Sequence, residues 1–299
     1  MEIPNNTTGI VFAIIASFSW AIFAFTIKYA LDGASVLKTA AGVNGLNAIT
    51  VTIVTLLIIP PSAFIPEHNE TYIHLGLAGL FHIGISRIIF YTAIDRLGPN
   101  RSIPVAMSYP IITALTSAWL LGEAITWQIF FGLILLLAGI TFIVNADAPR
   151  TQKDKNTAAT WRLVGWVCAG FTSLLWGVAA TFFKKAALDM HPLAVSSIAL
   201  WIGFIVSFFA ARLLDPEGVV PARSWRWILV SACCQTAAVP FYILAFTHTL
   251  AVRVTAIVSA QPLIVIPIGW LIMRESENIT PRLIAGATLA VGGTILVII

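Results

Sequence analysis

Long apolar segments, each able to cross a bilayer, fill almost the whole chain and limit what it can fold into. A transmembrane helix needs about 20 apolar residues to cross a hydrocarbon core of about 30 Å. Only 10% of the 299 residues are charged and 59% are hydrophobic, whereas a soluble domain carries about 25% charged residues. The chain is therefore predicted to be an all-α, polytopic membrane protein in contact with the lipid bilayer, and we expect it in the cell (inner) membrane. Ten spans are predicted near residues 9–30, 36–59, 72–93, 102–121, 127–145, 163–187, 192–213, 226–247, 252–273 and 281–299.

The two halves of the sequence repeat each other. Four pairs of segments match in the same order: SFSWAIFAFTIKYA from Ser17 with SLLWGVAATFFKKA from Ser173, FYTAIDRLGPNR from Phe90 with FYILAFTHTLAVR from Phe241, YPIITALTSAWLLGE from Tyr109 with QPLIVIPIGWLIMRE from Gln261, and ITWQIFFGLILLLAGITFIV from Ile125 with ITPRLIAGATLAVGGTILVI from Ile279. Four matches in one order indicate duplication. We predict a first five-helix repeat over residues 1–148, a polar linker over 149–160 and a second repeat over 161–299.

An odd number of spans in each copy has a consequence for topology. With five helices per repeat, the second copy must enter the membrane upside down relative to the first. Inverted repeats about an axis in the membrane plane recur in secondary transporters, whose substrate site lies at mid-depth between the halves. The pattern favours a transporter with ten transmembrane helices arranged as two inverted five-helix repeats.

These motifs resemble the drug/metabolite transporter (DMT) superfamily, specifically its EamA-type ten-helix members. The resemblance covers essentially the whole chain. It is carried by Ser-x-x-Trp in the first helix of each half, by the helices that contain Pro110 and Pro262, by Glu123 and Glu275 at the ends of those helices, and by the glycine pairs Gly132/Gly139 and Gly286/Gly293. It implies a two-fold basket whose central cavity is lined by helices one, three, four, six, eight and nine.

Arg87 is the most informative single residue because it lies inside the third apolar segment. A guanidinium group within the membrane costs at least about 2.5 kcal/mol, so it should face protein or a wet cavity. The functional interpretation is a clamp for a carboxylate or phosphate of the substrate. The structural alternative is that Arg87 reaches the interface or pairs with Asp95.

Aromatic side chains form a second group of candidate substrate-binding residues. Trp20 and Trp176 occupy equivalent places in the two halves, where their rings could bind an apolar or cationic substrate from opposite walls of one cavity. His82 lies in the middle of the third segment and could titrate near neutral pH. Helix packing is the structural alternative for all three.

Four further side chains with polar groups lie within apolar runs. They are Tyr109 in the fourth segment, Gln235 and Tyr242 in the eighth, and Gln261 in the ninth. An unpaired polar group in hydrocarbon costs several kcal/mol, so each needs a partner or water. Because the resemblance places these helices around the cavity, we predict that all four contact substrate, with interhelical hydrogen bonding as the alternative. The glutamates and glycine pairs named above are predicted to be structural.

The leading prediction of function is a secondary transporter that exports, facilitates or exchanges small metabolites such as amino acids. A phosphorylated-sugar or nucleotide-sugar exchanger is the first alternative, and an intramembrane enzyme is an alternative of another class. No metal spacing or paired carboxylates support catalysis, so we predict no catalytic residues, no metal site and no cofactor. The Lys and Arg residues lie in short connections rather than on a basic face, which argues against nucleic-acid binding. We expect a monomer or a homodimer.

Charge distribution predicts orientation and bears on energy coupling. Fourteen Lys and Arg residues fall on one side of the predicted topology and three on the other, which under the positive-inside rule places both termini outside the cytoplasm. The resemblance implies the opposite orientation.

Each of the 13 Asp and Glu residues falls at a helix end or in a connection. Coupling through a central acid is therefore not expected, and facilitated diffusion, exchange or proton coupling through His82 remain.

Overall fold

The computed structural model describes residues 6–146, 157–272 and 281–299, and all regular elements in these ranges are helical. The first half contains α1 (Asn6–Ala30), α2 (Val36–Ile58), a 3-10 turn (Pro61–Phe64), α3 (Glu70–Ala78), a π-helical turn (Gly79–Ile85), α4 (Ser86–Leu97), α5 (Pro99–Ala106), α6 (Pro110–Leu121) and α7 (Trp127–Ala146). The second half contains α8 (Thr157–Ala187), α9 (Pro192–Leu214), α10 (Ala222–Phe246), α11 (Ala251–Ser259), α12 (Pro262–Ile272) and α13 (Pro281–Ile298).

The helices have the length and the surface of a multi-pass membrane protein. Seven helical stretches in the described residues are long and apolar enough to cross a bilayer, and three shorter apolar helices accompany them at Trp127–Phe142, Ala251–Val265 and Ile284–Ile298. Large apolar side chains point outward along these helices, including Leu57, Trp119 and Leu213, which are all more than 70% exposed. Such a surface is stable in lipid, where no water penalises it.

Helix α8 extends into the stretch predicted as a polar linker, residues 149–160. Helix α8 already begins at Thr157, so residues 157–160 of that stretch are helical, while 147–156 lie outside the described residues. The sequence there is Thr-Ala-Ala-Thr, and alanine is the best helix former. The polar composition of this stretch therefore does not stop the helix from extending beyond its apolar segment.

The fourth span of the first half and its counterpart in the second half are both broken by an X-Pro step. Helix α5 ends at Ala106 and α6 restarts at Pro110, while α11 ends at Ser259 and α12 restarts at Pro262. Proline has no N–H and disfavours helical geometry in the residue before it. The chain bridges each break with tighter i to i−3 hydrogen bonds, such as those from the Ser108 amide to the Val105 carbonyl and from the Gln261 amide to the Val258 carbonyl.

The glycine pairs pack α7 against α13 with backbones almost in contact. A Cβ atom placed on Gly139 would lie 2.5 Å from the Gly286 carbonyl oxygen, and one on Gly132 would lie 2.7 Å from that of Gly293. Small residues at a helix interface allow this approach, which replaces side-chain packing by van der Waals contact between main chains. The packing role predicted for these glycines is confirmed.

Contacts between loops join the two halves. In the turn between α1 and α2, the Ser35 hydroxyl donates a hydrogen bond to the Asp215 carboxylate, and the Ser35 amide donates to the Val219 carbonyl at 2.9 Å. Lys38 donates to the Pro216 carbonyl at 2.8 Å. These bonds fasten the connection between α9 and α10 to the start of α2.

Candidate functional site

A cavity lies between the two halves, where broken and distorted helices meet. About 470 Å³ of space not filled by atoms lies among its lining side chains, including space open to the surroundings. Twelve described residues line it: Trp20, Phe23, Ala24, His82, Arg87, Phe90, Met107, Tyr109, Trp176, Gln235, Val258 and Gln261.

The cavity brings together residues that the sequence analysis selected separately. Seven of the eight predicted substrate-binding residues line it, and they come from all six of the spans that the resemblance placed around the cavity. The eighth, Tyr242, lies directly behind the wall, with its ring 5.0 Å from that of Trp20 and 5.6 Å from that of His82. Whether these residues bind substrate remains a prediction. Sequence reasoning missed the apolar lining residues because nothing in an apolar run distinguishes a cavity wall from a core or lipid-facing position.

The two equivalent tryptophans each donate a hydrogen bond to the other half. The Trp20 indole N–H donates to Oε1 of Gln235 on α10 at 2.9 Å. The Trp176 indole N–H donates to the His82 carbonyl oxygen at 3.3 Å. An indole is apolar over its faces and polar at one edge, so each ring covers the cavity wall while its N–H is satisfied across the interface.

The π-helical turn explains why the His82 carbonyl is available to Trp176. The Ser86 amide bonds the Phe81 carbonyl, five residues earlier, instead of the His82 carbonyl that a regular α-helix would use. The neighbouring Ile83 carbonyl also has a tertiary partner, the side-chain amide of Asn44 at 3.4 Å. π-helical turns are rare and often occur at functional sites. Here the turn supplies main-chain acceptors to two other helices.

The His82 ring lies at the centre of an aromatic cluster. It stacks on Trp176 at 5.6 Å with an interplanar angle of 27°, and it meets the edge of Phe183 at 5.3 Å. Trp20 lies 6.1 Å away on the other side. His82 is 6% exposed, and the Nδ1 atom of its ring has no hydrogen-bond partner among the described residues.

Arg87 points into the protein and is 4% exposed. Its Nη1 group donates to Oδ1 of Asn44 at 2.6 Å, and its Nη2 group donates to Oε1 of Gln235 at 3.2 Å. The structural alternative of pairing with Asp95 is wrong: no bond joins the two side chains among the described residues. Both partners of Arg87 are neutral amides, which hold the guanidinium in place without cancelling its charge.

The two helix breaks place equivalent residues at the cavity. Tyr109 precedes Pro110 and Gln261 precedes Pro262, so each is the last residue before its half-helix restarts. Both are almost fully buried, at 2% and 3% exposure, and both line the cavity. Discontinuous helices that meet at mid-depth are the usual way in which transporters build a binding site.

The comparisons with known proteins agree with this architecture. The sequence profile of the EamA-like transporter family matches residues 7–145 and again residues 163–299. The chain belongs to the EamA-like transporter family. These proteins are transporters of the drug/metabolite transporter superfamily, so this chain is a multi-pass membrane transporter built from two EamA repeats. A solved crystal structure shares its fold with a TM-score of 0.72 and 18% sequence identity, over 97% of this chain and 96% of that chain. No curated protein matches the sequence.

In this EamA-like transporter, Glu123 joins the two repeats on one side of the cavity. Its carboxylate pairs with the Lys184 ammonium group, and both side chains are about 90% buried. The same carboxylate accepts two hydrogen bonds of 3.1 Å from the Ala251 amide at the start of α11, while Lys184 donates to the Thr249 carbonyl at 2.8 Å. The predicted structural role of Glu123 is confirmed, although the helix it caps belongs to the other repeat. Glu275 lies outside the described residues.

A second contact between the repeats involves groups that titrate outside the membrane. His68 Nδ1 lies 2.5 Å from an Asp189 oxygen, and the Thr71 hydroxyl donates to the other oxygen at 2.6 Å. The hydrogen bond to Asp189 raises the pKa of His68 above its usual 6.5. Hydrogen bonds from Thr71 and His68 lower the pKa of Asp189 to about 2. Ligand atoms of Glu67, His68 and Asp189 lie within 4.8 Å of one another, a grouping that spacing in the sequence does not reveal.

Proposed function

We propose that this protein is a secondary transporter that carries small organic solutes through the cavity between its repeats, as a facilitator or an exchanger. The observation that carries the proposal is the cavity itself, in which Trp20, Trp176, Arg87, Gln235 and Gln261 converge from both halves. An apolar pocket with a few polar groups is the usual form of a small-molecule site. In this proposal the seven predicted residues that line the cavity contact substrate, and Tyr242 packs behind Trp20 and His82.

The proposal includes ten spans in two inverted repeats. Lys28, near the end of α1, donates to the Asp95 carbonyl near the end of α4 at 3.3 Å. The next residue, Arg96, lies 4.2 Å over the ring of Trp161, near the start of α8. The first helix of one repeat therefore ends on the side where the first helix of the other begins, which supports opposite orientations in the membrane.

Uncoupled transport is part of the proposal because the cavity offers no acid. A proton-coupled carrier usually needs a buried carboxylate that exchanges a proton for substrate. None of the twelve lining residues is Asp or Glu. The buried carboxylate of Glu123 is already bound to Lys184 and to the Ala251 amide. His82 is the remaining candidate for proton coupling.

The alternatives have less support from the cavity. A phosphorylated sugar would require several cations to converge, but Arg87 is the one cation among the lining residues, and Lys184 is paired. An intramembrane enzyme would need a nucleophile or a pair of acids at the site. The described lining contains neither a cysteine nor a carboxylate.

The test is transport by purified protein in proteoliposomes, with and without an imposed pH gradient. We expect counterflow of small organic solutes that is independent of the gradient and is strongly reduced in Trp176→Ala. The matched control is Trp119→Ala, because Trp119 is 85% exposed on the outer surface. Accumulation driven by the gradient in the wild type, and abolished in His82→Ala, would overturn the uncoupled proposal. Absence of transport of every solute tested would overturn the transporter proposal itself.

A further inference from the structure

The cavity carries positive charge on one wall and no compensating acid. Arg87 is its one lining cation, and none of the described lining residues is Asp or Glu. We propose that the transported solute is an organic anion, with a carboxylate that binds Arg87 and an apolar, ring-sized body that lies against Trp20 and Trp176. This inference rests on the proposed function and assigns a substrate class to the same cavity.

The environment of Arg87 leaves its charge to be balanced by a ligand. Its two hydrogen-bond acceptors, Asn44 and Gln235, are neutral amides. A buried charge is costly unless it is paired as well as hydrogen-bonded. A guanidinium has five N–H donors. The bonds to Asn44 and Gln235 use two of them, one on Nη1 and one on Nη2. The remaining donors can bind a carboxylate, and Asn44 and Gln235 hold the group in place for it.

The two half-helices that restart at the cavity bring a further polar group to its wall. Helices α6 and α12 begin at Pro110 and Pro262, immediately after the lining residues Tyr109 and Gln261. Because α5 and α11 end at the same two breaks, the opposite partial charges of helix ends and helix starts offset each other there. The Gln261 side chain is 3% exposed and lines the cavity, so its amide group is placed where it could donate a hydrogen bond to a bound carboxylate.

The rest of the lining limits the body of the solute. Phe23, Phe90 and Met107 are apolar, and the indole N–H groups of Trp20 and Trp176 are already bonded to protein acceptors. A sugar with many hydroxyl groups would lose its hydrogen bonds to water here without replacement. An apolar ring has no such hydrogen bonds to lose, and it gains contact with the indole rings of Trp20 and Trp176. A cation would be repelled by Arg87.

The experiment uses three probes that share an indole ring and differ in charge: indole-3-acetate, its neutral amide indole-3-acetamide, and the cationic amine tryptamine. Binding to purified wild-type protein is measured at pH 7.5 by calorimetry and by thermal shift, because a ligand of the folded state raises the midpoint of unfolding. The same titrations are made with Arg87→Met, Arg87→Lys and the control Arg253→Met. Arg253 donates to the Val297 and Ile299 carbonyls and does not line the cavity.

We expect indole-3-acetate to bind about 10–100-fold more tightly than the amide, the gain from charged hydrogen bonds, and tryptamine to bind weakest. Arg87→Met should abolish this preference, Arg87→Lys should retain part of it, and Arg253→Met should leave it unchanged. If Arg87→Met does not fold, the three wild-type affinities decide. Equal affinity for the three probes, or binding of none, overturns the anion assignment. The transporter proposal then still stands or falls by the counterflow experiment, which does not depend on these probes.

Discussion

The contact between α7 and α13 offers a sharp test of the fold, because two adjacent glycines on α13 have opposite surroundings. A Cβ atom on Gly293 would lie 2.5 Å from both the Gly132 carbonyl oxygen and the Leu136 amide nitrogen, whereas one on Gly292 would meet nothing within 4 Å. Ordinary van der Waals contact begins at 3.4 Å. Gly293→Ala must therefore push the helices apart by about 0.9 Å (3.4 − 2.5), and overpacking of this kind typically costs about 1–3 kcal/mol.

The assay is the thermal unfolding midpoint of purified protein in detergent, with Gly292→Ala as the matched control. Both substitutions gain the same intrinsic helix propensity of up to about 1 kcal/mol, so their difference isolates the contact. We expect the midpoint of Gly293→Ala to lie about 2–10 °C below that of Gly292→Ala. Equal midpoints would show that α7 and α13 are not in main-chain contact, and the packing derived from the glycine pairs would be wrong.

Three further predictions concern the contacts between the repeats and the orientation of the chain. Glu123→Met should lower the free energy of unfolding by about 3–5 kcal/mol, because it leaves the buried Lys184 charge unpaired. The double variant with Lys184→Met should recover much of the loss in the unfolding midpoint. A wild-type midpoint for Glu123→Met would show that the ion pair with Lys184 does not stabilise the protein. His68→Asn should destabilise the protein more at pH 6 than at pH 9. The pKa of His68 is raised, so its stabilising charge is present below pH 6.5 and is lost as the pH rises through the raised value, while Asp189, with its pKa lowered to about 2, stays ionised at both pH values. An equal effect of the substitution at both pH values would contradict this. A C-terminal reporter that fluoresces only in the cytoplasm should stay dark, as the charge asymmetry predicts, and a bright signal would reverse the orientation.

The sequence predicted most of the helical architecture because hydropathy and duplication act over long stretches. The second helix was expected over 36–59 and ends at Ile58, and the seventh was expected over 192–213 and ends at Leu214. Internal repetition then placed Trp20 and Trp176 on opposite walls of one cavity. A repeated pattern in the sequence becomes a pair of related positions in space, and this relation needs no knowledge of side-chain geometry.

The sequence did not predict which groups hydrogen-bond across the cavity. The partners of Arg87 lie 43 and 148 residues away in the chain, and the same applies to the pairing of Glu123 with Lys184, 61 residues away. Distances along the chain do not determine such contacts, because they depend on how helices rotate about their axes. The π-helical turn was also missed, since no residue type in GLFHIGI specifies i to i−5 bonding.

That turn is the place where the third span can change its length by one residue. A π-helical turn is an α-helix that accommodates one residue too many. Deleting Ile85 would therefore restore regular α-helical bonding, while the segments on either side keep nearly the same directions. The contact between Thr71 and Asp189 at one end and the bond between Arg87 and Asn44 at the other could then both survive. The His82 carbonyl, which now accepts from the Trp176 indole, would return to the main-chain hydrogen bonds of a regular helix. A one-residue deletion here would thus weaken a contact between the repeats and leave every side chain of the cavity in the sequence.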